Sequence, residues 1–299
     1  MSYDLYFTSP KITLEEFDSY FGNDSRYEVN NGQAFYSNNI TGVYFSFEHN
    51  SEPPADEKDV KHSVVFNINY YRPHYFALEA EPEVRRFIDS FKCTIHDYQN
   101  DGMGEGPYSR EGFLKGWNHG NEFGYSAILG SDDAPSSIWS KPTEVLEQIW
   151  KWNAAKERRE NEIQEDIFIP RIMFMSIDGA LGSVCVWPDG ISTLIPHVDY
   201  LYIPRKELAP KKFFRKQEED FCILAKKDFP EFFDFYVLSD FEFKTSKLPS
   251  PDTPKAVKDF VRGLNKFDGQ VEGVRYDSVL NSELVLKYQR GQQGGSGKA

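Results

Sequence analysis

The chain has 299 residues, with 34 basic against 47 acidic side chains for a formal charge of −13, and is 39% hydrophobic and 27% charged. These proportions exclude a disordered, collagen-like or coiled-coil chain, and the length exceeds what one core usually reaches, so two lobes are expected. The acidity argues against nucleic acid or an anionic membrane as partner and favours a basic protein.

Aromatic residues make up 16% of the chain, with 25 Phe and 17 Tyr, a composition suited to pleated, half-buried surfaces. In chain order, Tyr3 to Phe7 alternates as a strand. Thr13 is placed to cap a helix over Leu14 to Phe21, with Glu16 at the capping-box position. Arg26 to Asn30, Gln33 to Tyr36 and Gly42 to Phe47 read as an antiparallel meander, the first two joined by a tight turn at Asn30-Asn31-Gly32. Ser51 to Lys61 reads as a solvated loop and Ser63 to Tyr70 as a strand. A helix is expected over Glu81 to Phe91, with Val84, Phe87, Ile88 and Phe91 on one face and Pro82 in its first turn.

After Cys93 to Asp97 comes a glycine-rich stretch, Asn100 to Pro107, and then Ser109 as the cap of a short helix through Trp117. Pro142 to Ile163 reads as the longest helix and divides the chain. From Pro170 the pattern restarts with strands at Arg171 to Ile177, Gly182 to Trp187, Ile191 to Ile195 and Tyr200 to Ile203. They are punctuated by Asp178-Gly179, Pro188-Asp189-Gly190 and Pro196. Helices are expected over Phe213 to Phe229 and Pro254 to Phe267, Phe233 to Phe243 is ambiguous, and Leu284 to Tyr288 reads as a last strand.

The expected fold class is α+β, in two lobes that are each an antiparallel meander covered by helices. Residues 1–167 form an acidic lobe ending in the long helix, 168–290 a second lobe, and 291–299 a flexible tail or expression scar. Charge is divided unevenly: Met1 to Ile167 holds 29 acidic against 15 basic residues, and Phe168 to Ala299 holds 18 against 19.

Motifs with strict spacing are absent: there is no HExxH, EF-hand loop, Walker A or GxSxG. Cys93, Cys185 and Cys222 are widely spaced with no CxxC, so free thiols are expected rather than a disulfide framework or a zinc site. The six histidines stand singly, and no cofactor or metal is indicated. The first residues lack a basic region and an apolar run, so a cytoplasmic protein is expected.

The most enzyme-like stretch is His96 to Asn121, where His96, Asp97, Asp101, Glu105, Tyr108, His119 and Asn121 offer acid–base groups around a glycine-rich loop. The plainer reading of that stretch is an exposed loop. Val186-Trp187-Pro188-Asp189-Gly190 reads as a turn with Trp187 packed inward. His197 and Asp199 read as a structural pair, and the basic run Lys206, Lys211, Lys212, Arg215 and Lys216 as local charge balance.

Four features carry a resemblance: the opening Tyr3-Asp4-Leu5-Tyr6-Phe7, the phrase Thr41-Gly42-Val43-Tyr44-Phe45, the acidic, aromatic-rich first lobe, and the Val186 to Gly190 phrase. On these the chain resembles the cytosolic immunity proteins encoded beside bacterial polymorphic toxins, including those of type VI secretion and Rhs proteins. The resemblance implies a non-enzymatic, stoichiometric inhibitor of a cognate toxin domain and assigns no residue a role. Loop placement and charge nominate Asp97, Asp101, Glu105, Tyr108, Asp132, Asp133 and Trp139 as contacts with a basic toxin domain. The alternatives are a hydrolase built on His96 to Asn121 and a regulatory module for another protein.

Overall fold

The computed structural model describes residues 1–9, 12–50, 62–99, 102–132, 134–163, 165–209, 220–230, 234–236, 245–247 and 253–289. The chain is α+β and forms two compact units: Met1–Glu147 together with the segment from Asp277 onward, and Gln148–Tyr276.

The first unit opens with β1 (Ser2–Thr8), α1 (Leu14–Gly22), β2 (Tyr27–Asn30), β3 (Gln33–Ser37), β4 (Tyr44–His49) and β5 (Val64–Asn69). It continues with α2 (Tyr75–Phe91), β6 (Thr94–His96), β7 (Glu105–Gly106), α3 (Arg110–Leu129), β8 (Trp139–Lys141) and α4 (Thr143–Ala154). Seven strands form one sheet in the order β2-β3-β4-β5-β1-β6-β7, antiparallel at every pairing. The register sets Leu5 opposite Phe66, Phe66 opposite Phe47, and Phe47 opposite Ala34, so one buried row crosses four strands.

The helices close over that row with rings. Phe21 of α1 stacks on Phe87 of α2 at 5.6 Å between centroids, Phe47 meets Phe87 at 5.2 Å, and Phe66 meets Phe113 of α3 at 6.0 Å. Each ring removes roughly 150–250 Å² from water, so this aromatic layer dominates the core of the unit.

Local signals explain the starts and turns. Thr13 Oγ1 accepts from Glu16 N at 3.2 Å while Glu16 Oε2 accepts from Thr13 N at 2.9 Å, a closed capping box. Asn31 and Gly32 sit at φ of 44° and 83°, the left-handed pair that a two-residue hairpin turn requires.

Two helices run further than the sequence pattern places them. α2 begins at Tyr75, not Glu81, so Pro82 lies inside it; burial of Tyr75, Phe76, Ala77 and Ala80 outweighs the lost hydrogen bond. α3 continues past Trp117 to Leu129 because Gly112, Gly116, Gly120 and Gly124 recur every four residues and let it lie directly on tyrosine rings. A Cβ at Gly116 would stand 2.4 Å from Tyr3 Oη, and one at Gly120 only 1.9 Å from the Tyr70 ring. Each glycine weakens the helix by up to about 1 kcal/mol, which this close packing offsets.

The second unit takes the end of α4, then α5 (Lys156–Glu162), β9 (Ile172–Ile177), β10 (Ala180–Val186), β11 (Leu194–Ile195) and β12 (Tyr200–Pro204). It ends with β13 (Phe221–Ala225), β14 (Asp234–Tyr236), β15 (Thr245–Lys247), α6 (Lys255–Gly263) and β16 (Val271–Val274). Its main sheet runs β13-β12-β10-β9-β16, with β11, β15 and β14 in a smaller one. β9 and β10 turn at Asp178 and Gly179, at φ of 48° and 81°. This sheet departs from the expected meander at two places: β11 leaves for the smaller sheet, so β10 and β12 pair in parallel across the Trp187 to Asp199 connection, and β16 returns to pair with β9.

Trp187 is buried as expected, its Nε1 donating to the Ile191 carbonyl at 2.9 Å. Arg205, also buried, donates to Asp220 at 2.7 Å and to the carbonyls of Val261 (3.0 Å) and Leu264 (2.7 Å), so it satisfies the C-terminal end of α6. Where the helix expected over Phe213 to Phe229 is described, it is a strand over Phe221–Ala225, with Cys222 and Leu224 turned inward at alternate positions, followed by a 3-10 turn over Lys226–Asp228. Residues 210–219 lie outside the described residues, as does most of the ambiguous Phe233 to Phe243 stretch.

The expected division after Ile167 falls inside the second unit, because the end of the helical stretch is tied to β9. Trp152 Nε1 donates to the Pro170 carbonyl at 2.8 Å, and the Asn153 amide exchanges two hydrogen bonds with the Ile172 backbone at 2.9 and 2.8 Å. The stretch itself is two helices, broken at Ala155.

The final segment returns to the first unit as β17 (Val279–Asn281), parallel to β8, and α7 (Ser282–Gln289). Leu284 to Tyr288 is therefore helix, not strand. Leu284, Val285 and Tyr288 share the face that packs with Tyr125 and Leu129 of α3 and with Leu280.

Candidate functional site: the outer face of the first sheet

Alternation along each strand sends half of the side chains away from the helices. On β1 the buried residues are Tyr3, Leu5 and Phe7, while Ser2, Asp4, Tyr6 and Thr8 face the other way and are only half-buried. The same face carries Glu28, Phe35, Tyr44, Glu48, Asn67 and His96, and among its described strand positions there is no lysine or arginine. Arg72, from the segment after β5, reaches this face at one point, donating to Tyr44 Oη at 2.6 Å and lying 3.8 Å from Asp277.

Aromatic groups collect on this face in two places. Tyr6, His62, His96 and Tyr98 form a cluster with Tyr6 and Tyr98 centroids 5.2 Å apart, His62 and His96 4.9 Å apart, and Tyr98 Oη 2.7 Å from His62 Nε2. Tyr98 remains 59% exposed. Phe35, 44% exposed, stacks on Tyr44 at 6.1 Å. Partial burial, with His96 alongside, holds His62 below its ordinary pKa, so the ring is neutral at pH 7. Burial and the Asp4 carboxylate raise the Tyr6 phenol, which stays protonated.

The residues nominated from sequence do not share one surface. Asp97 is buried and accepts from Tyr3 Oη at 3.1 Å and from Met103 N at 3.2 Å, which removes it from the accessible loops. Glu105 sits in β7, paired in register with His96. Tyr108 is half-buried and donates to Glu81 at 2.7 Å. Asp132 is exposed just beyond the end of α3, and Trp139 is half-buried in β8 opposite Val279. Asp101 and Asp133 lie outside the described residues. α3 separates the Tyr108 end from the Asp132 end, and its 20 residues span about 30 Å.

The enzyme-like stretch is likewise divided. Asn121 is buried and donates to the carbonyls of Tyr70 and Arg72, and Asp97 holds the loop after β6, so both have structural work. His96 joins the aromatic cluster, whereas His119 lines a hollow with Met1, Ser2, Asp4, Tyr70, Gln99, Gly120 and Phe123. In the second unit Asp199 accepts from Ser183 N at 2.9 Å and Ser183 Oγ at 3.0 Å, a structural role, while His197 lies beside Lys226.

Sequence reasoning overlooked two buried carboxylates. Glu81 accepts from Arg85 and Tyr108, both at 2.7 Å, and Glu83 accepts from Tyr27 Oη at 3.0 Å and pairs with Arg26 at 3.0 Å and with Arg86. Their only local signal was a pair of acids flanking Pro82. The glycine spacing of four in α3 was visible and is the signal that would have extended that helix.

Burial pushes the Cys93 thiol up to about 12 and raises Cys185 further, which leaves both as packing groups rather than nucleophiles. Among the described residues no three His, Cys, Asp or Glu side chains gather as a metal site, and no helix is long and apolar enough to cross a membrane.

Fold and surface together define an α+β protein whose first sheet is covered by helices on one face and presents acids and aromatic rings on the other. Comparison with protein-family models, with curated proteins and with solved structures finds no match in any of the three.

Proposed function

We propose that the chain is a cytoplasmic immunity protein that neutralises a cognate antibacterial toxin by stoichiometric binding, with the outer face of the first sheet, opposite its helices, as its docking surface. The observation that carries this reading is the composition of that face: Asp4, Glu28 and Glu48 with Tyr6, Phe35 and Tyr98 on a rigid seven-stranded sheet, with no lysine or arginine at its described strand positions. Aromatic anchors ringed by charge are what protein interfaces are built from, and carboxylates speed the capture of a basic partner. Toxins that act on nucleic acids carry basic clefts, so an acidic face fits the place of their substrate. The sequence resemblance supplies the biological setting, and the excess of 29 acidic over 15 basic residues before Phe168 supplies the long-range field.

The hydrolase alternative has less behind it, since Asp97 and Asn121 hold backbone and His96 and His119 belong to different groupings.

An immunity protein is expected to have a toxin gene immediately upstream, and the test is co-expression with the domain that gene encodes. The expected result is rescue of growth and a 1:1 complex that weakens with salt, with Glu48→Lys combined with Tyr98→Ala losing both. Failure of the intact chain to rescue, together with no complex at low salt, overturns the proposal.

A further inference from the structure

At the end of the first sheet, where Ser2 and Asp4 of β1 meet the exposed side of α3, lies a hollow of about 530 Å³. Its chemistry is mixed in a particular way. Tyr70 forms part of its wall, fixed in place because its ring lies on Gly120 with no room for a Cβ between them. Phe123 of α3 and Met1 stand at the rim, 61% and 57% exposed, large apolar side chains left in water. Asp4 supplies a half-buried carboxylate, steadied by Ser2 Oγ at 3.0 Å and by the Asn67 amide, and Gln99 adds an amide side chain that is itself tied to the Ser2 carbonyl at 2.8 Å.

Tyr70 is buried, with Tyr3 stacked on it at 6.0 Å, so the ring open to a ligand is Phe123. That exposed ring, a pre-positioned carboxylate, an apolar rim and the His119 imidazole match one side chain better than others. A guanidinium is planar, stacks on aromatic faces, donates in a fork to a carboxylate, and carries methylenes that lie against apolar groups. We infer that this hollow receives one arginine side chain of the protein partner, as the anchor of the interface beside the outer face of the sheet. The identity of that partner rests on the immunity reading; the preference for arginine rests on the hollow alone. Charge complementarity selects the occupant: Asp4 lies in the acidic part of the chain, so a cationic side chain is drawn in and an acidic one is repelled.

The experiment uses the full chain, isotopically labelled, with amide shifts followed during titration with N-acetyl-arginine amide and, separately, with its lysine and glutamate counterparts. Saturable shifts confined to Asp4, Tyr70, Gln99, Gly120 and Phe123 are expected with arginine, with lysine about tenfold weaker and glutamate without effect. Phe123→Ala, which removes an exposed ring, is expected to weaken arginine binding about fivefold with an unchanged spectrum elsewhere, and Asp4→Asn about tenfold. Lysine binding as tightly as arginine, shifts spread over the whole surface, or no saturation overturns the inference. If it falls while Glu48→Lys with Tyr98→Ala still abolishes rescue, the immunity reading survives. If arginine binds while rescue fails, the hollow stands and the immunity reading does not.

Discussion

The two faces of the first sheet come from the same strands, yet they follow opposite rules. Leu5, Phe47 and Phe66 face helices and are fully removed from water, while their immediate neighbours Asp4, Tyr6 and Glu48 face outward and are half-buried or exposed. Aromatic residues occur on both sides, so aromatic content by itself distinguishes neither core nor surface. Exposure does: Phe47 and Phe66 are fully removed from water, whereas Tyr98 and Phe35 are 59% and 44% exposed although each touches another ring. An outer aromatic that stability does not require is a better guide to binding than any cluster of charge.

This contrast can be broken by substitution. Phe47→Ala, at the centre of the inner row, is expected to lower unfolding free energy by about 3–5 kcal/mol in a denaturant titration, since it removes contacts with Phe21, Phe66 and Phe87 together. A loss under about 1 kcal/mol would show that the aromatic layer is not the main support. Gly120→Ala comes next, at roughly 1–3 kcal/mol, because a methyl group cannot enter the 1.9 Å left above the Tyr70 ring without displacing α3.

A smaller effect concerns pH and separates a histidine inside the unit from one on its face. His74 accepts at Nδ1 from the Asn281 amide at 2.9 Å, with Glu147 3.5 Å from Nε2 and Glu283 nearby on α7. Burial lowers its pKa below the ordinary 6.5 despite those carboxylates. The unfolded chain therefore takes up this proton first, so the contribution of His74 is complete above pH 6.5 and is lost as pH falls below it. Chemical denaturation between pH 7.5 and 5 is expected to show this decline, flattened by His74→Gln and, to a lesser extent because His62 is less buried, by His62→Gln. The smallest effect on stability is expected for Tyr98→Ala, within about 0.5 kcal/mol, while capture of the partner weakens. If Tyr98→Ala unfolds the protein, the outer cluster is structural and the distinction between the faces fails.

What the sequence made legible follows from how local each determinant is. The capping box at Thr13 and Glu16, the Asn31-Gly32 turn and the inward Trp187 depend on neighbours within a few residues, and all three were readable. The start of α2 and the length of α3 depend on tyrosines and phenylalanines far away in sequence, so local rules stopped them at Pro82 and near the glycines. Leu284 to Tyr288 is a short apolar run whose conformation is set by α3, and periodicity alone cannot separate helix from strand over so few residues. Loop charge alone nominates Asp97, but its burial depends on Tyr3, 94 residues away, which no local rule places beside it, and the outward side chains of the strands come together as a face only through the register.

The return of β17 and α7 to the first unit has a consequence for how the protein is made. The side chains that cover Tyr125 and Leu129 come from residues 280–288, so they leave the ribosome only after the whole of Gln148–Tyr276 has been synthesised. During translation the aromatic sheet can assemble early, but the flank of α3 stays uncovered until the second unit has emerged. Nascent chains arrested before Asp277 are accordingly expected to leave that flank open to chaperones and proteases.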